Sequence, residues 1–161
     1  MNKTLRLILG DQLNSNHSWF KSVDDSVTYV MMEIRTETDY AQHHIQKVVG
    51  IFAAMQNFAN QLKSNKHNLI YFHLNDVNNI QSFGDNIKNL IIDHHFTEFE
   101  YQLPDEYRVD QDLKQLGNSI SIPCKSVDSE HFFTTINELS EFFNGEFLSY
   151  HEKKAYYIDG R

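Results

Sequence analysis

The chain has 161 residues, of which 40% are hydrophobic and 13% aromatic, with 14 Lys and Arg set against 22 Asp and Glu for a net charge of −8. That is enough for one domain with a real core and too apolar for disorder, while the acidity argues against direct nucleic-acid binding, which draws its affinity from Lys and Arg on phosphates. One cysteine, Cys124, excludes an internal disulfide or an all-cysteine metal or iron–sulfur site, and no apolar run approaches the roughly 20 residues of a membrane span, so a cytoplasmic protein is expected.

Residues 4–9 (TLRLIL) read as a first strand, ended by Gly10. The apolar core of this N-terminus is too short for a signal peptide. A polar stretch with an aromatic insert, His17-Ser18-Trp19-Phe20, leads to a second strand at Val27–Met32 (VTYVMM). Two continuously apolar strands with a long link between them suit a parallel sheet covered on both faces.

The strongest helix signal follows. Asp39 stands in N-cap position with Gln42 three residues on. Tyr40, His44, Val48, Ile51, Phe52, Met55, Phe58, Ala59 and Leu62 then recur at helical spacing, making one wide apolar face. Residues 69–74 (LIYFHL) read as a third strand, 84–95 as a weaker helix and 97–101 (TEFEY) as a fourth strand. Pro104 opens a helix to Leu116 closed by Gly117; 119–122 (SISI) is a short fifth strand; and 134–143 is a last amphipathic helix.

This order predicts a three-layer α/β/α sandwich around a five-stranded, mostly parallel, Rossmann-like sheet, with strand order 3-2-1-4-5 and right-handed crossovers. Ligands then bind beyond the carboxyl ends of the strands. That crevice would collect residues 10–13, 33–37 and the neighbourhood of 103–108. Residues 1–145 form the domain, and 146–161 a tail or the start of a linker.

The chemistry of the first loop is unusual for its position. No glycine-rich phosphate motif is present, and Asp11 would repel a phosphate. A carboxylate beside an amide, Asp11 and Gln12, can instead grip the N–H and O–H groups of a neutral polar ligand, or can bond local backbone. Glu33 and Glu37 are candidates for a carboxylate pair, or for helix caps and partners of Arg35. His43-His44 and His94-His95 are neighbours about 100° apart on a helix, so neither pair chelates one metal by itself. His44 reads as a core histidine on the apolar stripe or as a pocket wall. Ser129-Glu130-His131 has the residue types of a triad, but contiguous residues cannot face one another, so it reads as a loop. Cys124 reads as a buried structural thiol. On these residues three readings stay open: a ligand-binding domain, a small α/β hydrolase or transferase using Asp11, Glu33 or Glu37, and a ligand-free docking module.

A resemblance separates them. LRLILGDQLN at 5–14 with HSWF at 17–20, VMMEIRTETDYAQHHIQKVV at 30–49, AMQNFA at 54–59, FEYQLPDEYRVD at 99–110 and VDSEHFFT at 127–134 together resemble the amino-terminal part of the deoxyribodipyrimidine photolyase-related proteins, in the cryptochrome/photolyase superfamily. Bacterial members resemble (6-4) photolyases. The resemblance implies an α/β antenna domain that binds a lumazine, 6,7-dimethyl-8-ribityllumazine, and passes excitation to FAD in a helical carboxyl-terminal domain with a four-cysteine iron–sulfur cluster. It places Gly10, Asp11, Gln12, Leu13, Glu37, Tyr40, His44 and Ile51 around the chromophore. No catalytic or metal residue is implied for this chain. Residues 147–161 (FLSYHEKKAYYIDGR) match the family's linker poorly, so a fragment or a stand-alone version is expected, with some tendency to self-associate.

Overall fold

A computed structural model describes residues 2–35, 44–132, 134 and 138. The chain runs β1 (Thr4–Leu7), a 3-10 turn (Ser18–Phe20), β2 (Val27–Met32), α1 (Ile45–Ser64), β3 (Asn68–Phe72), α2 (Phe83–His94), β4 (Glu98–Gln102), α3 (Tyr107–Ser119) and β5 (Cys124–Val127). The five strands are all parallel, in the order β3-β2-β1-β4-β5. Fold class and strand order are those expected.

Alternation along each strand feeds two cores. Leu5, Leu7, Val30, Met32, Phe99 and Tyr101 meet Ile87 and Leu90 of α2 and Val109, Leu113 and Leu116 of α3. Ile8, Tyr29 and Met31 turn the other way, onto Met55, Phe58, Ala59 and Leu62 of α1. Helices therefore cover both faces, which is why β2 carries no polar alternation. Arg6, on the α1 side, is not wasted there. Its Nε lies 2.7 Å from Glu100 Oε2 on the neighbouring strand, and its guanidinium sits 4.9 Å from the centre of the Trp19 ring. Its pKa is raised: burial opposes the charge, but the bonds to Glu100 and Tyr29 outweigh it.

The aromatic insert closes the long β1–β2 link. His17 Nδ1 accepts the Trp19 N–H at 3.1 Å, so its Nε2 carries the proton and donates to the Asp128 carbonyl at 3.0 Å. A buried histidine thus ties this link to the loop after β5.

Three local readings need correction. Helix α1 begins at Ile45 with His44 as its N-cap, the His44 Nδ1 accepting the Gln46 N–H at 3.3 Å. His44 is exposed there and is not part of the apolar stripe; Asp39 and Gln42 lie outside the described residues. Helix α3 begins after Pro104, at Tyr107, and runs through Gly117 to Ser119. Gly117 serves packing and not termination: a Cβ there would stand 2.9 Å from Cys124 Sγ, so only glycine lets α3 lie this close to β5. Strand β5 is consequently CKSV (Cys124–Val127), not SISI, because residue 119 still belongs to the helix and Ile120 is its C-cap. The helix expected at 134–143 falls, apart from 134 and 138, outside the described residues.

Candidate functional site

In the order β3-β2-β1-β4-β5, β1 is left towards β2 on one side and joined by β4 on the other, so the loops after β1 and β4 diverge at their carboxyl ends. A cavity of about 450 Å³ opens there, within the usual range for small-molecule sites. The β1 loop supplies Leu9, Gly10 and Asp11, and the end of β2 supplies Met32 and Ile34. One wall is α1, through Lys47, Val48, Ile51, Phe52 and Met55. The other is Phe83 at the start of α2, with Pro104, Glu106 and Val109 at the start of α3.

The spacing of the α1 wall is helical: 48, 51, 52 and 55 lie on one stripe, the amino-terminal continuation of the stripe that fills the α1 core. The close approach of α1 depends on Gly10. A Cβ at Gly10 would stand 3.0 Å from Met55 Sδ and 3.5 Å from Ile51 Cγ2. The glycine that looked like a strand terminator is thus the point where the helix meets the loop.

Gln12 holds that loop in place. Its Oε1 accepts the Leu9 N–H at 3.1 Å, and its Nε2 donates to the carbonyls of Gln102 (3.1 Å) and Leu103 (3.4 Å). One buried side chain therefore ties the β1 loop to the β4 loop across the switch point. Leu13 packs against the α1 core. Of the eight residues expected around a ligand, Gly10, Asp11 and Ile51 line the cavity, Gln12 and Leu13 do not, and His44 caps the helix whose next turn contributes Lys47 and Val48. Glu37 and Tyr40 lie outside the described residues.

Glu33 sits between two lining residues but is not itself in the lining. Its carboxylate is buried and receives three donors: Gln56 Nε2 at 2.7 Å, Tyr71 OH at 2.7 Å and Leu74 N–H at 2.8 Å. It joins β2 to α1, β3 and the loop after β3, while Asn79 Nδ2 donates to its backbone carbonyl at 2.8 Å. The Tyr71 phenol is pushed well above its usual value, first by burial and then by its bond to the Glu33 carboxylate.

The cavity walls are mainly aliphatic, aromatic and thioether, with charge from Asp11, Lys47 and Glu106. Such a site suits a flat apolar ring bearing a few hydrogen-bonding edges. Among the described residues no group of three His, Cys, Asp or Glu side chains could hold a metal ion, and no helix is long and apolar enough to cross a membrane. Periodicity already marked Val48, Phe52 and Met55. The switch-point rule already placed the neighbourhood of 103–108, and so Pro104 and Glu106, at the crevice; Phe83 and Val109 carried no local signal, because only the packing of α2 and α3 brings them to the β1 loop.

Fold and cavity define an open parallel α/β domain with a ligand crevice at its switch point. The chain belongs to the deoxyribodipyrimidine photo-lyase-related protein family, which it matches over residues 6–161. It is also 29% identical over 142 residues to a (6-4) photolyase of Agrobacterium fabrum (strain C58 / ATCC 33970), the match covering 88% of this chain and 28% of that protein. The chain thus spans a little over a quarter of the length of that relative.

Proposed function

We propose that this domain binds an antenna chromophore of the lumazine type, 6,7-dimethyl-8-ribityllumazine or a close relative, in the crevice between α1 and the loops after β1 and β4. The observation that carries the reading is the lining of that crevice: Met32, Ile51, Phe52, Met55 and Phe83 for a ring, with Asp11, Lys47 and Glu106 for polar edges and a polyol. A glycine nest for phosphate is lacking in the β1 loop, and a lumazine brings no phosphate. The chromophore, when bound, absorbs light and hands on the excitation; the residues of this chain hold it, orient it and exclude water.

Within a whole photolyase-related protein this domain would serve light-driven DNA repair, with a helical domain supplying FAD and the iron–sulfur cluster. This chain, with one cysteine, cannot furnish a four-cysteine site. Its own role is then binding without catalysis, in the cytoplasm. The test is a titration with 6,7-dimethyl-8-ribityllumazine followed by fluorescence intensity and anisotropy. Saturable quenching or a rise in anisotropy at micromolar concentrations is expected, weakened in Asp11→Ala and Glu37→Ala. No change for the parent protein at any accessible concentration would overturn the reading.

A further inference from the structure

Strand β3 is an edge strand among the described residues, and its own sequence lacks the usual protection. Among the described residues it pairs only with β2. The Glu33 N–H donates to the Phe72 carbonyl at 3.0 Å, so Phe72, and by alternation Ile70, direct their backbone groups at β2. The N–H and C=O groups of Leu69 and Tyr71 then face outward. The strand NLIYF contains no charge and no proline, the two common devices that keep an edge from pairing. Ile70 and Phe72 continue into a groove of about 580 Å³ along α2, shared with Leu90, Val77 and Ile80. Val77 is 98% exposed and Ile92, on α2, 67%.

In the chain segments flanking this strand charge is arranged by end, with Asp25 set one strand further in beside Asn68 and Asp93 in the groove along α2. Lys63 and Lys66 precede the strand, and Asp76 follows it. In a chain of net charge −8, two copies repel over most of their surface. Turned antiparallel about Ile70, two β3 strands avoid that repulsion. Leu69 of each copy comes opposite Tyr71 of the other, Ile70 meets its own symmetry mate, and the basic entry of one strand lies beside the acidic exit of the other, twice.

We propose that two copies of this chain associate through the β3 edge as an antiparallel, two-fold symmetric pair, joining their sheets into one. Closure about a two-fold axis consumes both β3 edges, and the β5 edge left on each copy carries the charge of Lys125, so association stops at the dimer. The occupant is a second copy and not a chromophore, so the inference stands independently of the crevice between α1 and the β1 loop.

The test is sedimentation equilibrium of the full chain over a concentration series, with amide hydrogen exchange read at each concentration. The mass is expected to rise from one chain to two and no further, while the Leu69 and Tyr71 amides slow in step. Lys66→Glu and Val77→Lys both lie on exposed positions, where neither should disturb the fold, and each sets like charges against each other across the two-fold axis. Each is expected to weaken the dimer about tenfold or more. A monomer at every concentration overturns the proposal. So does a dimer in which Leu69 and Tyr71 exchange as fast as in the monomer, or one that both variants leave unchanged.

Discussion

Gly10 makes the sharpest demand on the crevice. Its φ is not in the left-handed region, so the cost of a side chain there is steric and not conformational. A methyl group would meet Met55 Sδ at 3.0 Å, against an ordinary contact of about 3.5–4.0 Å. Met55 must retreat by a few tenths of an ångström, which its three rotatable bonds allow. Gly10→Ala should therefore cost about 1 kcal/mol or less in urea unfolding. Gly10→Leu cannot be absorbed so: it drives into Ile51 and Met55 together, should cost about 1–3 kcal/mol, and fills the end of the cavity where α1 meets the loop. The two variants should separate stability from binding. Gly10→Ala should keep most lumazine affinity, whereas Gly10→Leu, folded by circular dichroism, should lose at least tenfold, about 1.4 kcal/mol. A folded Gly10→Leu protein that binds the chromophore as tightly as the parent would refute the placement of the ligand.

Other outcomes follow from single groups. Glu33→Ala strands three donors, those of Gln56, Tyr71 and Leu74, and should lower urea stability by about 3 kcal/mol or more; Glu33→Gln should cost clearly less. Because both carboxylate oxygens accept, Gln keeps only one acceptor, and an equal loss in both variants would show that the partners cannot rearrange around a single acceptor oxygen. Gly117→Ala ordinarily gains helix stability, by about 1 kcal/mol. Here the methyl would meet Cys124 Sγ at 2.9 Å, so the sign should reverse in chemical unfolding. Because the Tyr71 pKa is raised on folding, its contribution is whole below the unfolded value of 10.0 and drains away as pH climbs above it. Urea stability should fall between about pH 9 and pH 11, and Tyr71→Phe should fall less steeply.

Much of this architecture was legible because it rests on periodicity. The apolar runs at 4–9 and 27–32, and the stripe ending at Leu62, announce a sheet covered on both faces; strand order then follows from the handedness of crossovers. The misreadings have one cause, that tertiary contacts overrule local signals. Gly117 resembles a helix stop, yet it is a packing residue, and moving the end of α3 displaced β5 from SISI to CKSV. His44 fits the stripe by number, but with α1 beginning at Ile45 it becomes a cap. Glu33 looked like half of a carboxylate pair. Its three donors come from α1, β3 and the loop after β3, none of them near it in sequence. For Gln12 the sequence left two roles open, gripping a polar ligand or bonding backbone, and its side-chain hydrogen bonds go to backbone on both sides of the switch point.

The central claim, that the crevice holds a lumazine-type chromophore, is most directly tested at its methionines. The chain has four, and Met32 and Met55 line the cavity while Met31, between the same strand and α1, does not. With methyl-13C methionine, titration with 6,7-dimethyl-8-ribityllumazine should shift Met32 and Met55 by the ring current of the bound chromophore and leave Met31 nearly still. Saturating chromophore that moves neither Met32 nor Met55, or moves Met31 alone, would contradict the account.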